Sequence, residues 1–173
     1  MISWLKGEVI HTGKISLKKG VILNVGGVGY EIQQLPTQIG KAEGSNKIEL
    51  WIHQIDRDDG TSLYGFRELN QRDLFREIIS VNGIGPQIGM SLLDDFEVIQ
   101  LVSAIENKES DLLTKTQGIG KRIAERLIVE LRNKLLRFIV NNEISIDNKK
   151  EIAPIQFSKY IDEIYTILKS LGY

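Results

Sequence analysis

The stretch Val81-Asn82-Gly83-Ile84-Gly85-Pro86-Gln87-Ile88 returns 35 residues later as Thr116-Gln117-Gly118-Ile119-Gly120-Lys121-Arg122-Ile123. The apolar positions that follow keep the same register: Ile88 matches Ile123, Leu92 matches Leu127 and Leu93 matches Ile128. A glycine pattern that repeats together with its flanking core positions is an internal repeat of one supersecondary unit. Each copy lies between segments of helical apolar spacing, so the unit reads as helix, turn, helix.

Glycines accept backbone angles and close approaches that a Cβ forbids. A Gly-Ile-Gly turn entering a helix leaves backbone N–H groups directed outward at the helix start, where the dipole favours an anion. Ile84 and Ile119, between the glycines, are placed to turn inward and anchor each hairpin. Donors without base-reading side chains suit a DNA phosphate. A single copy would serve equally well as a plain turn between helices; two copies in register favour the phosphate site. A nucleotide-binding loop fits worse, because no Gly-Lys-Ser/Thr ending is present and the preceding segments are helical rather than strand-like. The dinucleotide fingerprint fails too, since Ile88 occupies the place of its third glycine. The residues expected at DNA are Asn82, Gly83, Ile84, Gly85 and Gln87 in the first copy. In the second they are Gly118, Ile119, Gly120, Lys121, Arg122 and Arg126.

Charge supports that direction locally. The net charge of the 173 residues is -1, which argues against a uniformly basic DNA coat. Between Lys115 and Arg137, however, seven basic residues (Lys115, Lys121, Arg122, Arg126, Arg132, Lys134, Arg137) face two acidic ones (Glu125, Glu130). The excess follows the second hairpin. Lys121, Arg122 and Arg126 could equally form a solvated helix face; standing beside outward N–H groups, they are better explained as phosphate contacts, each steepening the salt dependence of binding.

Upstream, residues 1–66 read as short strands: Ile2 to Ile10, Gly20 to Val25, Val28 to Leu35, Lys47 to Ile55 and Ser62 to Phe66. Alternation is clear in Ile48-Glu49-Leu50-Trp51-Ile52, and Gly26-Gly27-Val28-Gly29 supplies a hairpin turn. Five such strands suggest a small closed barrel of the OB-fold type. Trp4 and Trp51 are expected in its core. Residues 67–140 are expected to form a tandem helix-hairpin-helix domain. There Leu74, Phe75, Ile78 and Ile79 lead into the first hairpin, Val98, Leu101, Val102 and Ile105 lie between the two, and Ile123, Leu127, Leu131 and Leu135 follow the second. Residues 141–156 read as a flexible polar linker, and 157–173 as one amphipathic helix that is marginal alone. The fold class is thus a β barrel plus an all-α part.

Composition narrows the rest. With 42% hydrophobic residues the chain can bury one or two small cores. The absence of cysteine removes disulfide and thiolate-metal chemistry. The start of the chain lacks the pattern of a signal peptide and no apolar run approaches bilayer length, so a soluble, cytoplasmic protein without a membrane role is expected. His11 and His53 have no companion ligands, and no metal, cofactor or catalytic residue is expected. The acids Asp56, Asp58 and Asp59 read either as a solvated turn or as a magnesium site for a nuclease.

The motifs together resemble the RuvA family, Holliday-junction-binding subunits of the bacterial branch-migration complex. The resemblance rests on Val25-Gly26-Gly27-Val28-Gly29-Tyr30, Leu63-Tyr64-Gly65-Phe66, Asn82-Gly83-Ile84-Gly85-Pro86 and Gly118-Ile119-Gly120-Lys121 followed by Ala124-Glu125-Arg126-Leu127. It covers nearly the whole chain.

The resemblance implies a non-catalytic, structure-selective subunit acting in recombination and repair. It implies a homotetramer that holds a four-way junction open on a basic face, alone or as two tetramers sandwiching the DNA. A RuvB-type ATPase would supply the motor, and a RuvC-type junction endonuclease is a further partner it allows. The family's barrel loop with two carboxylates aligns with Arg57-Asp58-Asp59-Gly60, making Asp58 and Asp59 an acidic pin that repels phosphate and helps part the strands. Gln87 stands where family members often carry lysine, so the first hairpin is expected to contribute less charge. The family's third domain is a three-helix bundle of which this sequence holds the first helix; junction binding is expected to survive that, and motor recruitment to suffer. The competing readings are a helix-hairpin-helix nuclease or glycosylase using the cluster Asp56 to Asp59, and a single-strand-binding barrel with a helical dimerisation unit.

Overall fold

Leu5, Val21, Leu23, Ile32, Leu50, Ile52 and Leu63 recur at every second position of their segments, and in the structure they fill one barrel interior, each at most 8% exposed. The computed structural model describes residues 1–15, 18–39, 46–58 and 60–141. The linker expected from 142 on and the helix expected over 157–173 lie outside the described residues, as does Asp59. The strands are β1 (Trp4–Ile15), β2 (Lys18–Val25), β3 (Val28–Gln34), β4 (Lys47–Arg57) and β5 (Gly60–Phe66). They close in the order β1-β2-β3-β5-β4, with β3 and β5 parallel and the other pairings antiparallel.

The first strand runs five residues past its expected end at Ile10 because one strand serves two partners. Its first part pairs with β4 and its second with β2. A register shift between Val9 and His11 leaves Ile10 as the extra residue, 62% exposed, the bulge that lets a strand bend around a barrel corner. Between β2 and β3, Gly26 and Gly27 both take positive φ (62° and 89°), as a tight two-residue hairpin requires. The Asn24 side chain accepts a hydrogen bond from the Gly27 N–H at 2.8 Å.

The tryptophans correct the expectation of a core position. Trp4 is 43% exposed and Trp51 half-buried. They are register partners one residue from Leu5 and Leu50, which take the inside, so alternation turns both indoles outward. The Arg72 guanidinium stacks over Trp51 at 5.5 Å.

The helical part comprises α1 (Pro36–Ile39), inserted in the barrel, then α2 (Leu69–Ile79), α3 (Pro86–Asp95), α4 (Val98–Glu106), α5 (Ser110–Leu113) and α6 (Lys121–Asn141). Leu74, Phe75, Ile78, Leu92, Leu101, Ile105, Leu127, Leu131 and Leu135 make its core. The stretch between the hairpins is broken where Lys108 adopts φ 58°, so a single helical turn, α5, leads into the second hairpin. The two parts of the described chain meet at Phe75, whose ring lies 5.0 Å from Phe66, 5.2 Å from Tyr64 and 5.7 Å from His53. Gly89 of α3 lets that ring come close: a Cβ there would stand 3.0 Å from it. Polar ties flank the seam. Thr37 donates its N–H and hydroxyl to Asp94, and the buried Gln38 amide donates to Gln71 at 2.8 Å.

Candidate nucleic-acid interface

The two hairpins share one backbone. Gly83 and Gly118 take φ 84° and 88°, a region closed to most side chains. Ile84 N–H donates to the Val81 carbonyl at 3.0 Å and Ile119 N–H to that of Thr116 at 3.1 Å. Gly89 N–H reaches the Gly85 carbonyl at 3.1 Å and Ala124 N–H that of Gly120 at 3.0 Å, opening α3 and α6 alike. Burial repeats as well: Val81 and Thr116, Ile84 and Ile119, Gly89 and Ala124 are inside, while Asn82, Gly83, Gly85, Gln117, Gly118 and Gly120 are exposed.

Of the residues expected at DNA, Asn82, Gly83, Gly85, Gln87, Gly118, Gly120, Lys121, Arg122 and Arg126 are at the surface. Ile84 and Ile119, 6% and 5% exposed, lie beneath the turns and act as anchors. Among the described residues, the N–H groups of Gly85, Gln87, Gly120, Lys121 and Arg122 have no backbone acceptor. They are the free donors of two helix starts. Pro86 removes one donor from the first hairpin, whereas Lys121 keeps that donor in the second and adds a cation.

Long-range side-chain partners complete the site, and local pattern did not reveal them. Arg126 reaches from α6 across to the first hairpin, where its Nη1 donates to the Asn82 carbonyl at 2.9 Å, while its Nε pairs with Glu130 at 3.2 Å. Two turns along α6, Lys134 Nζ donates to Ser80 Oγ at 2.7 Å. On the barrel side, Gln87 Nε2 meets Gln33 Oε1 at 3.4 Å. The first turn is therefore held from both sides. The spacing of Arg126, Glu130 and Lys134 by four marks them as one stripe of α6, a signal for the stripe but not for its partners.

Comparison with known proteins bears on both halves. The RuvA N terminal domain matches residues 1–65, and the SAM-like helix-hairpin-helix tandem matches residues 75–133. The Holliday junction branch migration complex subunit RuvA of Prochlorococcus marinus strain NATL1A is 78% identical over 173 residues, all of this chain and 77% of that protein. The chain belongs to the RuvA family. Proteins of the same description from P. marinus strain MIT 9211 (45% identical, all of this chain and 78% of the relative) and Synechococcus sp. strain WH7803 (41%, all of this chain and 82%) agree. These relatives give no support to a nuclease or glycosylase.

In this RuvA-family chain the acids at the end of β4 and in the turn after it differ in their surroundings. Asp56 accepts hydrogen bonds from the Gln54 amide (2.9 and 3.0 Å) and the Thr61 hydroxyl (2.7 Å), which hold its carboxyl below the usual carboxylate range. Gln54 in turn accepts from the Ile2 N–H at 2.7 Å. Asp56 is thus a clasp at the base of the loop. Asp58 stands exposed at its tip, and Gly60, at φ 134°, turns the chain back into β5. Among the described residues no three His, Cys, Asp or Glu side chains are grouped to hold a metal ion, and no helix is long and apolar enough to cross a membrane.

Proposed function

We propose that this chain is a non-catalytic subunit of a branch-migration complex that binds Holliday junctions by shape and holds them open for a partner ATPase. The observation that carries the reading is the pair of hairpins with one backbone geometry, joined through Arg126, in a chain of the RuvA family. Outward N–H groups at two helix starts grip phosphates without reading bases. In this reading Asn82, Gly83, Gly85 and Gln87 form one grip and Gly118, Gly120, Lys121 and Arg122 the other. Ile84 and Ile119 support them from below, and Arg126 acts chiefly as the brace between them.

The assembly we favour is a cytoplasmic homotetramer, alone or paired face to face on the junction. Residues 1–66 are its central barrel and residues 67–140 grip the arms. Asp58, with Asp59 beside it in sequence, would be the acidic pin that repels phosphate at the crossover. A RuvB-type motor and a RuvC-type endonuclease are the partners such a platform would serve.

The test is a gel-shift competition between a synthetic four-way junction and duplex of equal length, in EDTA, at several salt concentrations. Strong preference for the junction with steep salt dependence is expected. Equal affinity for both would reduce the hairpins to generic phosphate clamps and overturn the reading.

A further inference from the structure

We propose that the barrel carries a third DNA-backbone contact, formed by Lys18 and Lys19 of β2 with Lys14 of β1, which supplies to the first hairpin the charge that its own turn lacks. The proposal rests on the phosphate-gripping reading of the hairpins and extends it from the helical part onto the barrel.

The antiparallel ladder sets Lys14 directly opposite Lys19, and Ile15 opposite Lys18. Like charges facing each other across a ladder repel. Among the described residues none of these lysines forms an ion pair. All three are exposed. Lys18 and Lys19 line a shallow cleft with Gln33 and Glu31 of β3, the glutamate being the one acid among the described residues of its lining, against two lysines in the cleft and a third across the ladder. Gly20 allows the cleft its shape: a Cβ would stand 2.3 Å from the Ile32 carbonyl oxygen, so only glycine lets β3 close on β2 here. The close pairing sets Gln33 opposite Gly20, beside the two lysines in the ladder.

Gln33 identifies the ligand. Its Oε1 meets Nε2 of Gln87 at 3.4 Å, and Gln87 is the exposed residue at the front of the first hairpin. The lysine cleft and that hairpin are therefore one continuous surface. From Asn82 to Ile88 the hairpin has no charged residue, whereas the corresponding turn of the second has Lys121 and Arg122. A polyanion laid on the free N–H groups of Gly85 and Gln87 and continuing past Gln33 meets ammonium groups next. A DNA backbone has the required charge and continuity.

The experiment uses the full chain and a synthetic four-way junction, with affinity measured by fluorescence anisotropy across a salt series. In Lys14→Gln/Lys18→Gln/Lys19→Gln, the slope of log K against log salt should become shallower by about 0.9 for each phosphate no longer neutralised, and at least two phosphates are expected to be involved. Lys14→Arg/Lys18→Arg/Lys19→Arg should restore it, with far-UV circular dichroism unchanged in both. An unchanged slope in the glutamine variant, beside a reduced slope in Lys121→Gln/Arg122→Gln, would overturn the lysine site and leave the hairpins standing. Failure of the unaltered chain to prefer the junction would overturn the hairpin reading, while the slope difference on whatever DNA it binds still decides the lysines. An unchanged DNA slope with loss of binding to a polyglutamate peptide would assign the patch to an acidic protein segment instead.

Discussion

The two hairpins have the same backbone and opposite surroundings. The first turn is uncharged and held at three points, by Arg126 and Lys134 from α6 and by Gln33 from the barrel. The second carries Lys121 and Arg122 exposed at its front and is entered from a one-turn helix. A repeat thus keeps its donor geometry while dividing the work: one copy is fixed in place, the other brings charge. Because Arg126 belongs to the second copy and bonds the first, the spacing between the two hairpins is tied within the protein itself.

The strongest way to break this comparison is to remove the shared geometry from one copy. Gly118→Val with Gly120→Val forces a branched side chain into φ 88° and places another in the open space before the helix start. When one or more charge-assisted hydrogen bonds are removed, at about 1.5–3 kcal/mol each, junction affinity should fall at least about tenfold. The barrel should stay folded by circular dichroism. Unchanged affinity in the folded variant would remove the second hairpin from the binding model.

Charge can be separated from geometry by salt. Lys121→Gln/Arg122→Gln should make the slope of log K against log salt shallower by about 1.8, while Gln87→Lys should steepen it by about 0.9 if the first hairpin also lies on phosphate. An unchanged slope in Gln87→Lys would mean that the first hairpin does not lie on phosphate. Arg126 gives a smaller and sharper test. As a brace, Arg126→Gln should weaken junction binding several-fold with the slope unchanged, because the hairpins lose their spacing while every phosphate stays neutralised. A slope decrease of about 0.9 would assign Arg126 to phosphate instead.

What was legible in the sequence is what repeats locally. The turn glycines, the buried isoleucines and the four-residue leucine stripe of α6 each follow from spacing along a few residues, as does the alternation that builds the barrel. Side-chain partners separated by long stretches of chain were not legible. Arg126 reads locally as one more surface cation, and only the packing of α6 beside the first hairpin brings it to a carbonyl 44 residues away. Asp56 reads as part of an acidic cluster until β4 and β5 pair and set it opposite Thr61. Trp4 and Trp51 read as core from their strand-like surroundings, whereas the barrel interior is taken by their neighbours Leu5 and Leu50. Lys108 disrupts the stretch between the hairpins through a left-handed backbone that its residue type does not announce.

The smallest effect sharpens the contrast between a hairpin seated on the barrel and one that is not. His53 packs edge-on against Phe75, the ring that α3 approaches at Gly89, and among the described residues no aromatic pair lies beside the second hairpin. Burial, with the nearby Arg76 and Arg72 cations, pushes the His53 imidazole below its ordinary value, and Asp73 pairs with both arginines. The neutral ring is therefore the form that the fold favours. The stability it contributes is present above about pH 6.5 and is lost as pH falls from there through the depressed folded value. Between pH 7.5 and 5.5 the melting temperature should drop, and His53→Gln should flatten that dependence. If acid loosens the seam, amide hydrogen exchange will quicken in α3 well before α6, and equal quickening in both would show that the two hairpins share one foundation after all.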